Sequence, residues 1–232
     1  MDQALDFTQG PLFRLAFVIL IAGLIRRFVL IAWPMLAAWI RARDRSLNWA
    51  AIFRDIGVWL FPIGHVWRSK DIFTIVSYAF HIGLILVPLF LMEHVSLWTA
   101  SSGLTLPVLP KLAADIFTVV TILGVSILLV VRIVSRLVRT FTRTEDYVAL
   151  LLILVPFLSG LLAGRPWNPL SCNAMLLLHI LSAEALMITI PFSKLSHCIF
   201  FPFSRLCAEL GSKLVTDSAY LYKSPLSEGG ES

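Results

Sequence analysis

Charged residues are scarce in this sequence. Only 14% of its 232 residues are Asp, Glu, Lys or Arg, whereas 58% are hydrophobic, and the mean hydropathy is +0.86. A water-soluble domain of this length has about a quarter charged residues. The composition therefore excludes an ordinary soluble domain and predicts an integral membrane protein. The net charge of +5 is explained by the loops that carry the basic residues, and we expect no nucleic-acid partner.

Cysteine is also rare, and its positions exclude several kinds of site. Cys172, Cys198 and Cys207 form no CxxC pair and show no spacing typical of a zinc or iron–sulfur site. We expect no disulfide within the chain, and small apolar filling is the favoured role of all three. The sequence also lacks a catalytic triad, a metalloprotease motif and a phosphate-binding loop. Apart from quinone oxidoreduction, bond-making chemistry is therefore expected on other subunits.

Long hydrophobic runs are what the sequence has in abundance. A helix needs about 20 apolar residues to cross a bilayer, and several segments reach that length. These segments lie approximately at residues 11–34, 72–98, 115–134, 146–164 and 174–201. The sequence predicts an all-α bundle of five transmembrane helices in a domain at 1–210. An interfacial segment is predicted at 41–70 and a polar cytoplasmic tail at 211–232.

Basic residues are distributed unevenly between the loops, and this decides the predicted orientation. Lys and Arg concentrate in the 41–70 linker, in the connection between the third and fourth spans and in the tail, whereas the opposite loops carry only Lys111 and Arg165. Cytoplasmic loops are enriched in Lys and Arg. We predict a multi-pass protein of the inner (cytoplasmic) membrane, with the N-terminus outside and the C-terminus in the cytoplasm. The acidic start, "MDQALDFTQG", is not typical of a cleaved signal peptide.

Histidine is the polar residue that the apolar segments retain. His81 and His94 fall in the second predicted span and His179 and His197 in the fifth, while His65 lies in the linker. If the second helix runs outward and the fifth inward, His81 matches His197 in depth and His94 matches His179. Ionisable residues inside a membrane mark functional sites. Two facing imidazoles are typical axial ligands of a six-coordinate b-type haem, and we predict two such haems.

The sequence spacing of the histidines predicts a different geometry for each of the two helices that carry them. His179 and His197 are 18 residues apart, which places them on one face of a straight helix, about 27 Å from each other. His81 and His94 are 13 residues apart and differ by roughly 140° in direction unless Pro88 rotates one half of the helix. The pair predicted toward the outside, His94 with His179 (the outer pair), therefore requires a bend, whereas His81 with His197 forms the inner pair. Zinc is the weaker alternative, because a pair of histidines lacks the third and fourth ligands of a zinc site.

Two carboxylates, Glu93 and Glu184, also lie well inside the predicted spans. Glu93 adjoins His94 near the outer surface, where it could accept a proton from a quinol or be solvated at the lipid interface. Glu184 lies deeper in the fifth span and is expected to hydrogen-bond another helix. Menaquinone is therefore a further candidate ligand at the outer end of the bundle.

Three stretches resemble the cytochrome b (gamma) subunit of respiratory nitrate reductase and its relatives. They are "FHIG" at Phe80–Gly83, "LHILSAEALMITIPFSKLSH" at Leu178–His197 and "RTFTRTED" at Arg139–Asp146. The second-helix histidines of that subunit are ten residues apart, where this chain has Leu91. "LVPLFLMEHVSLW" instead looks like the branch found in sulfate-reducing bacteria. Within that branch, the chain is most similar to the small gamma-like subunit of the high-molecular-weight cytochrome c complex.

The resemblance implies an electron-transfer subunit with His81, His197, His94 and His179 as the axial ligands of two haem b groups. It also implies partners: a periplasmic multihaem cytochrome c, other membrane subunits, and a cytoplasmic iron–sulfur protein similar to the heterodisulfide reductase catalytic subunit. Electrons would pass between the periplasmic cytochrome or the menaquinone pool and the cytoplasmic partner. Two alternatives stay open, namely a haem-free transporter or assembly anchor and a subunit that holds the inner haem alone.

Overall fold

The computed structural model describes residues 2–41, 48–60 and 72–221, which are helical apart from short connections. The α-helices in chain order are α1 (Asp2–Phe7), α2 (Phe13–Arg41), α3 (Trp49–Leu60), α4 (Ile72–Phe90), α5 (Met92–Ser102), α6 (Lys111–Val134), α7 (Arg136–Phe141), α8 (Thr144–Ala163), α9 (Cys172–Thr189) and α10 (His197–Leu221). A π-helical turn (Thr8–Leu12) joins α1 to α2, and two 3₁₀ turns (Ile190–Phe192 and Lys194–Ser196) join α9 to α10. The described residues contain no strand, which confirms the all-α prediction.

Several of these helical segments are long and apolar enough to cross a membrane. Four qualify on their own, and they are Asp2–Ile40, Lys111–Val134, Thr144–Ala163 and Cys172–Phe192. A bent pair, Thr74–Phe90 with Met92–Ser102, qualifies when both parts are taken as one span. The described residues therefore carry four or five candidate spans, as expected for a multi-pass membrane protein. The orientation of the chain stays a prediction.

The second predicted span is not one straight helix. Leu91 has an extended backbone (φ −67°, ψ 136°) between α4 and α5, and the two helices meet at a 55° bend. Pro88 lies three residues earlier and has no N–H to donate, which weakens the last turn of α4. The Trp98 indole donates a 3.0 Å hydrogen bond back to the Pro88 carbonyl. The change of direction that the sequence required is therefore present, but it occurs at Leu91.

The fifth predicted span is interrupted before it reaches its second histidine. Helix α9 gives way to a 3₁₀ turn that contains Pro191, and Ser193 then adopts an extended backbone (φ −118°, ψ 179°). The Ser193 hydroxyl accepts a hydrogen bond from the next turn. The prediction of one helix with His179 and His197 on a single face is therefore wrong, because proline and serine both compete against a continuous helix here. His197 is the first residue of α10.

The chain divides into two compact units, Met1–Gly23 with Lys70–Cys198 and Leu24–Ser69 with Ile199–Ser232. In the second unit, Trp39 packs on Trp49 and Trp49 on Phe53, with ring centroids 5.9 and 6.1 Å apart. Such amphipathic aromatic residues are typical of a membrane interface.

The segments predicted to flank the membrane domain are described only in part. Helix α3 is the described portion of the predicted interfacial segment, whereas residues 42–47 and 61–71, which include His65, lie outside the described residues. Helix α10 continues to Leu221, and residues 222–232 also lie outside the described part. The 1–210 and 211–232 boundaries stay a prediction.

Helices of the first unit pack in series: α4 on α6, α6 on α8, and α8 on α9. The buried core between them consists of Phe80, Val87, Val125, Leu128, Leu150, Ile153, Phe157 and Leu195. Gly124 permits the close approach of α4 and α6, since a Cβ there would lie 2.8 Å from Cβ of Phe80. Among the described helices, α4 and α9 are not a closely packed pair. They form the two ends of the series, and His81 and His179 lie on these ends.

The N-terminal segment runs alongside α9 in the same direction. Asn173 donates a 3.4 Å hydrogen bond to Asp2, and a Cβ on Gly23 would lie 2.6 Å from Cβ of Pro191. These two contacts occur in the same order along both segments, so the segments are parallel. Seven residues are about two helical turns. Ala16 lies seven residues before Gly23, and Glu184 lies seven residues before Pro191. Ala16, which is completely buried, is therefore level with Glu184.

Candidate functional site

The structure brings the four span histidines together as two pairs. The rings of His81 and His197 have centroids 5.7 Å apart with planes at 68°, and those of His94 and His179 are 5.9 Å apart and nearly parallel at 7°. Two metal–nitrogen bonds of about 2 Å, with an imidazole ring beyond each, place ring centres about 6 Å apart. Both pairs lie in the first compact unit, and their separations suit a single metal ion between two imidazoles.

Backbone carbonyls orient three of the four rings. A ring that donates from Nδ1 leaves Nε2 as its unprotonated nitrogen. Metal-binding histidines are usually held in this way, because the hydrogen bond sets both the tautomer and the orientation of the ring. The Nδ1-to-oxygen contacts are His81 to Ser77 at 2.6 Å, His179 to Pro156 at 2.8 Å and His197 to Lys194 at 2.6 Å.

The fourth ring, His94, lacks such a contact. Its Nδ1 is buried without a hydrogen-bond partner, although the carbonyls of Val87 and Pro88 lie nearby. The Pro88 carbonyl already accepts from the Trp98 indole. A buried polar nitrogen without a partner destabilises a fold by about 1–3 kcal/mol. Binding of a ligand by His94 would offset part of this penalty.

The bend at Leu91 is what directs His94 toward His179. On one straight helix His81 and His94 would point roughly 140° apart. The extended Leu91 and the 55° bend change the direction of the helix between the two histidines. The His81 ring then lies beside His197, and the His94 ring lies beside His179. Pro88 was the signal in the sequence for this break, but leucine gives no local signal for an extended backbone.

A glycine that the sequence analysis missed makes room for the outer pair. A Cβ on Gly160 in α8 would lie 2.8 Å from Cε1 and 2.9 Å from Nδ1 of His179. The absence of that atom lets the ring reach the Pro156 carbonyl, one turn earlier on the same helix. The available signal was a proline followed four residues later by a glycine inside an apolar span.

The inner pair has a third candidate metal ligand. Sγ of Cys198 lies 3.6 Å from Nε2 of His197, and one ligand atom from each of His81, His197 and Cys198 lies within 4.8 Å of the others. The sequence analysis assigned Cys198 to apolar filling and found no third ligand for zinc, whereas the structure supplies one at this pair.

Neither of the carboxylates in the spans joins a histidine pair through a hydrogen bond. Glu184 is only 3% exposed, and both of its carboxylate oxygens are buried without a hydrogen-bond partner. No donor of the described residues reaches either oxygen, so the expectation that Glu184 hydrogen-bonds another helix is wrong. Glu93 is exposed in the first turn of α5, and its suggested role toward a quinol stays a prediction.

The turn that carries His197 is tied to the start of α8. Lys194 Nζ lies 2.9 Å from Asp146 and 3.7 Å from Glu145. Asp146 also accepts a 2.8 Å hydrogen bond from the backbone N–H of Arg143, which caps α8. Because Lys194 supplies the carbonyl that orients His197, Asp146 connects the beginning of one span to the inner ligand.

Asp146→Ala should lower the free energy of unfolding by about 1–2 kcal/mol, because it removes a helix cap and a partly exposed ion pair together. Glu145→Ala is the matched control and should change it by less than about 0.5 kcal/mol. Thermal unfolding of the purified protein in detergent, followed by circular dichroism, measures both. Equal losses in the two variants would contradict the role given to Asp146.

Comparison with known proteins places the chain in a family. It is 33% identical over 211 residues to a protein of Nitratidesulfovibrio vulgaris (strain Hildenborough), and the alignment covers 86% of this chain and 89% of that relative. The chain belongs to the same family as this relative. The two proteins therefore align over most of their lengths. The relative's name, "Protein", states no activity. No family model and no solved structure matches the chain.

Proposed function

We propose that this protein is the dihaem b-type electron-transfer subunit of a membrane-bound respiratory complex. His81 with His197 and His94 with His179 would be the axial ligands of two haems at different depths in the membrane. One observation carries the proposal: the four histidines of the apolar spans form two facing pairs, with ring centroids 5.7 and 5.9 Å apart.

The donor set of each pair fits a b-type haem. A porphyrin supplies four of the six ligands of low-spin iron, so two imidazoles complete the set and no further residue is needed. Three of the rings already present a free Nε2 because a backbone carbonyl holds their Nδ1. Haem b would supply a one-electron carrier. The part of the protein is to hold the rings, set their tautomers and surround them with apolar helices.

In this role the subunit would carry electrons across the bilayer of the inner membrane. The donors and acceptors would be a periplasmic multihaem cytochrome c or the menaquinone pool on one side and a cytoplasmic iron–sulfur subunit, similar to the heterodisulfide reductase catalytic subunit, on the other. The resemblance of three stretches to membrane cytochromes b supports this assignment. Two of those stretches meet through Asp146 and Lys194, 2.9 Å apart, beside the inner pair.

Haem content is the test of this function. We expect two b haems per chain in the purified protein, measured by the pyridine haemochrome assay together with protein quantitation. His94→Ala and His197→Ala should each remove one haem, because an iron that loses an axial histidine is no longer held from both sides. His65→Ala is the control for replacing a histidine outside the spans, and it should keep both haems.

Two results would contradict the dihaem proposal. A single haem that persists in His94→Ala would support the alternative in which only the inner pair binds a haem. The absence of b haem from the intact chain and from its complex would exclude a cytochrome and favour a haem-free anchor or assembly subunit.

A further inference from the structure

The inner histidine pair differs from the outer pair in having a sulfur atom beside it. One ligand atom from each of His81, His197 and Cys198 lies within 4.8 Å of the others. Sγ of Cys198 is 3.6 Å from Nε2 of His197. Among the side chains that the structure describes, this is the one group of three metal-ligating residues at such distances.

We propose that His81, His197 and Cys198 form a binding site for a thiophilic transition-metal ion such as Zn²⁺. The ion occupies the site in chains whose inner pair holds no haem. Two imidazoles and a thiolate are the ligand types that select zinc and copper over magnesium or calcium. Three protein ligands with an open fourth position are also a common zinc arrangement.

The distances are close to those that zinc requires. Bonds of about 2.0 Å to nitrogen and 2.3 Å to sulfur in a tetrahedron separate the ligand atoms by about 3.3–3.6 Å. The contact between Cys198 and His197 already has this length at 3.6 Å. The remaining separations are at most 4.8 Å, so the cluster needs to contract by up to about 1.5 Å around the ion.

Orientation and exposure of the ligands also favour this site. Nδ1 of both His81 and His197 is held by a backbone carbonyl, which leaves Nε2 to bind the ion. His197 is exposed at the start of α10, whereas His81 and Cys198 are half-buried. Binding replaces the proton of the Cys198 thiol by the metal, and the proton is released to solvent.

The two occupants must exclude one another at this position. Zinc and the haem of the proposed function would use the same two imidazoles, so a chain that carries zinc at the inner cluster cannot accept the inner haem. The outer pair belongs to no such three-ligand group in the described part of the chain. We therefore expect zinc to compete with one haem and not with the other.

The experiment uses the full chain purified from a host that cannot make haem. The purified chain is equilibrated with Zn²⁺ and separated from unbound metal. The number of zinc ions per chain is then measured by mass spectrometry. We expect one zinc in the unaltered chain and at least about tenfold weaker binding in Cys198→Ser and in His81→Ala. Cys207→Ser replaces another half-buried cysteine of α10 and should bind zinc like the unaltered chain.

Substitution of Co²⁺ for zinc reports the sulfur ligand directly. A near-ultraviolet thiolate-to-cobalt charge-transfer band should appear in the unaltered chain and in Cys207→Ser and be absent from Cys198→Ser. The spectrum of the unaltered chain tests the proposed thiolate ligand even if Cys198→Ser fails to fold. A cobalt complex of the unaltered chain without that band would overturn the proposal. Zinc binding by a folded Cys198→Ser chain with undiminished affinity would overturn it as well.

Haem content of the same variants separates this inference from the proposed function. Cys198→Ser, produced with haem, should still contain two b haems, because cysteine is not an axial ligand in that proposal. A chain that binds zinc through Cys198 but never binds haem would refute the electron-transfer function and leave the metal site intact. A chain that binds two haems and no zinc would support the electron-transfer function and refute the metal site.

Discussion

In the dihaem protein proposed above, Gly160→Ala should remove the outer haem and leave the inner one in place. The new methyl group would lie 2.8 Å from Cε1 and 2.9 Å from Nδ1 of His179, so the ring must move. Its movement is restricted by the 2.8 Å contact between Nδ1 and the Pro156 carbonyl. Overpacking of this kind costs about 1–3 kcal/mol, which corresponds to weaker haem binding by about tenfold to a hundredfold. Haem content should fall from two to one per chain.

Gly164→Ala is the control for this substitution. Gly164 follows the end of the same helix, and a Cβ there would have its nearest contact at 4.0 Å, with the Leu161 carbonyl. This variant should keep both haems and the helical content of the unaltered protein. Retention of both haems by Gly160→Ala, or an equal loss in Gly164→Ala, would show that the His179 ring is not confined by the face of α8.

Glu184→Met should make the protein more stable by about 1–3 kcal/mol, the usual penalty for a buried polar group without a partner. Glu184 is 3% exposed, and neither carboxylate oxygen has a hydrogen-bond partner. Ala16 lies level with it on the parallel N-terminal segment and offers only a methyl group. Methionine has nearly the same length and shape and needs no hydrogen bond. The measurement is the unfolding of the detergent-solubilised protein, followed by circular dichroism.

Two further substitutions control for size and for polarity. Glu93→Met replaces an exposed glutamate of α5 and should change the free energy of unfolding by less than about 0.5 kcal/mol. Glu184→Gln keeps a buried polar group and should give little or none of the gain expected from methionine. A loss of stability in Glu184→Met would mean that the carboxyl group has a stabilising partner in the membrane, and the prediction would be wrong.

Composition and hydropathy predicted the helical class and the approximate positions of the apolar segments because both signals are averaged over many residues. A bend in the second span was expected, but neither its position nor the interruption of the fifth span was predicted, since each depends on one or two residues. Leu91 is extended three residues after a proline that removes a donor, although leucine itself favours helices. The fifth span was predicted to continue as one helix beyond Pro191 because the hydropathy stays high there. A 3₁₀ turn has no hydropathy signal of its own.

The residues that complete the candidate site depend on the register between helices. The positions of His81, His94, His179 and His197 along the chain allowed them to be grouped by depth, because depth follows directly from residue number. The approach of His179 to Gly160 is set by how α8 and α9 pack, which depends on many side chains at once. Cys198 was adjacent to a predicted ligand in the sequence, but its distance from His81 required knowledge of the turn before α10.

The series in which α4, α6, α8 and α9 pack has a consequence for biosynthesis. The first histidine of each pair lies in the first half of the chain and its partner in the last quarter. During translation the early helices can associate while both positions for a cofactor still have one open side. Only the arrival of α9 and the turn after it supplies the second ring. Insertion of the proposed haems is therefore expected at the end of synthesis, and a nascent chain stopped before Cys172 would lack a complete histidine pair.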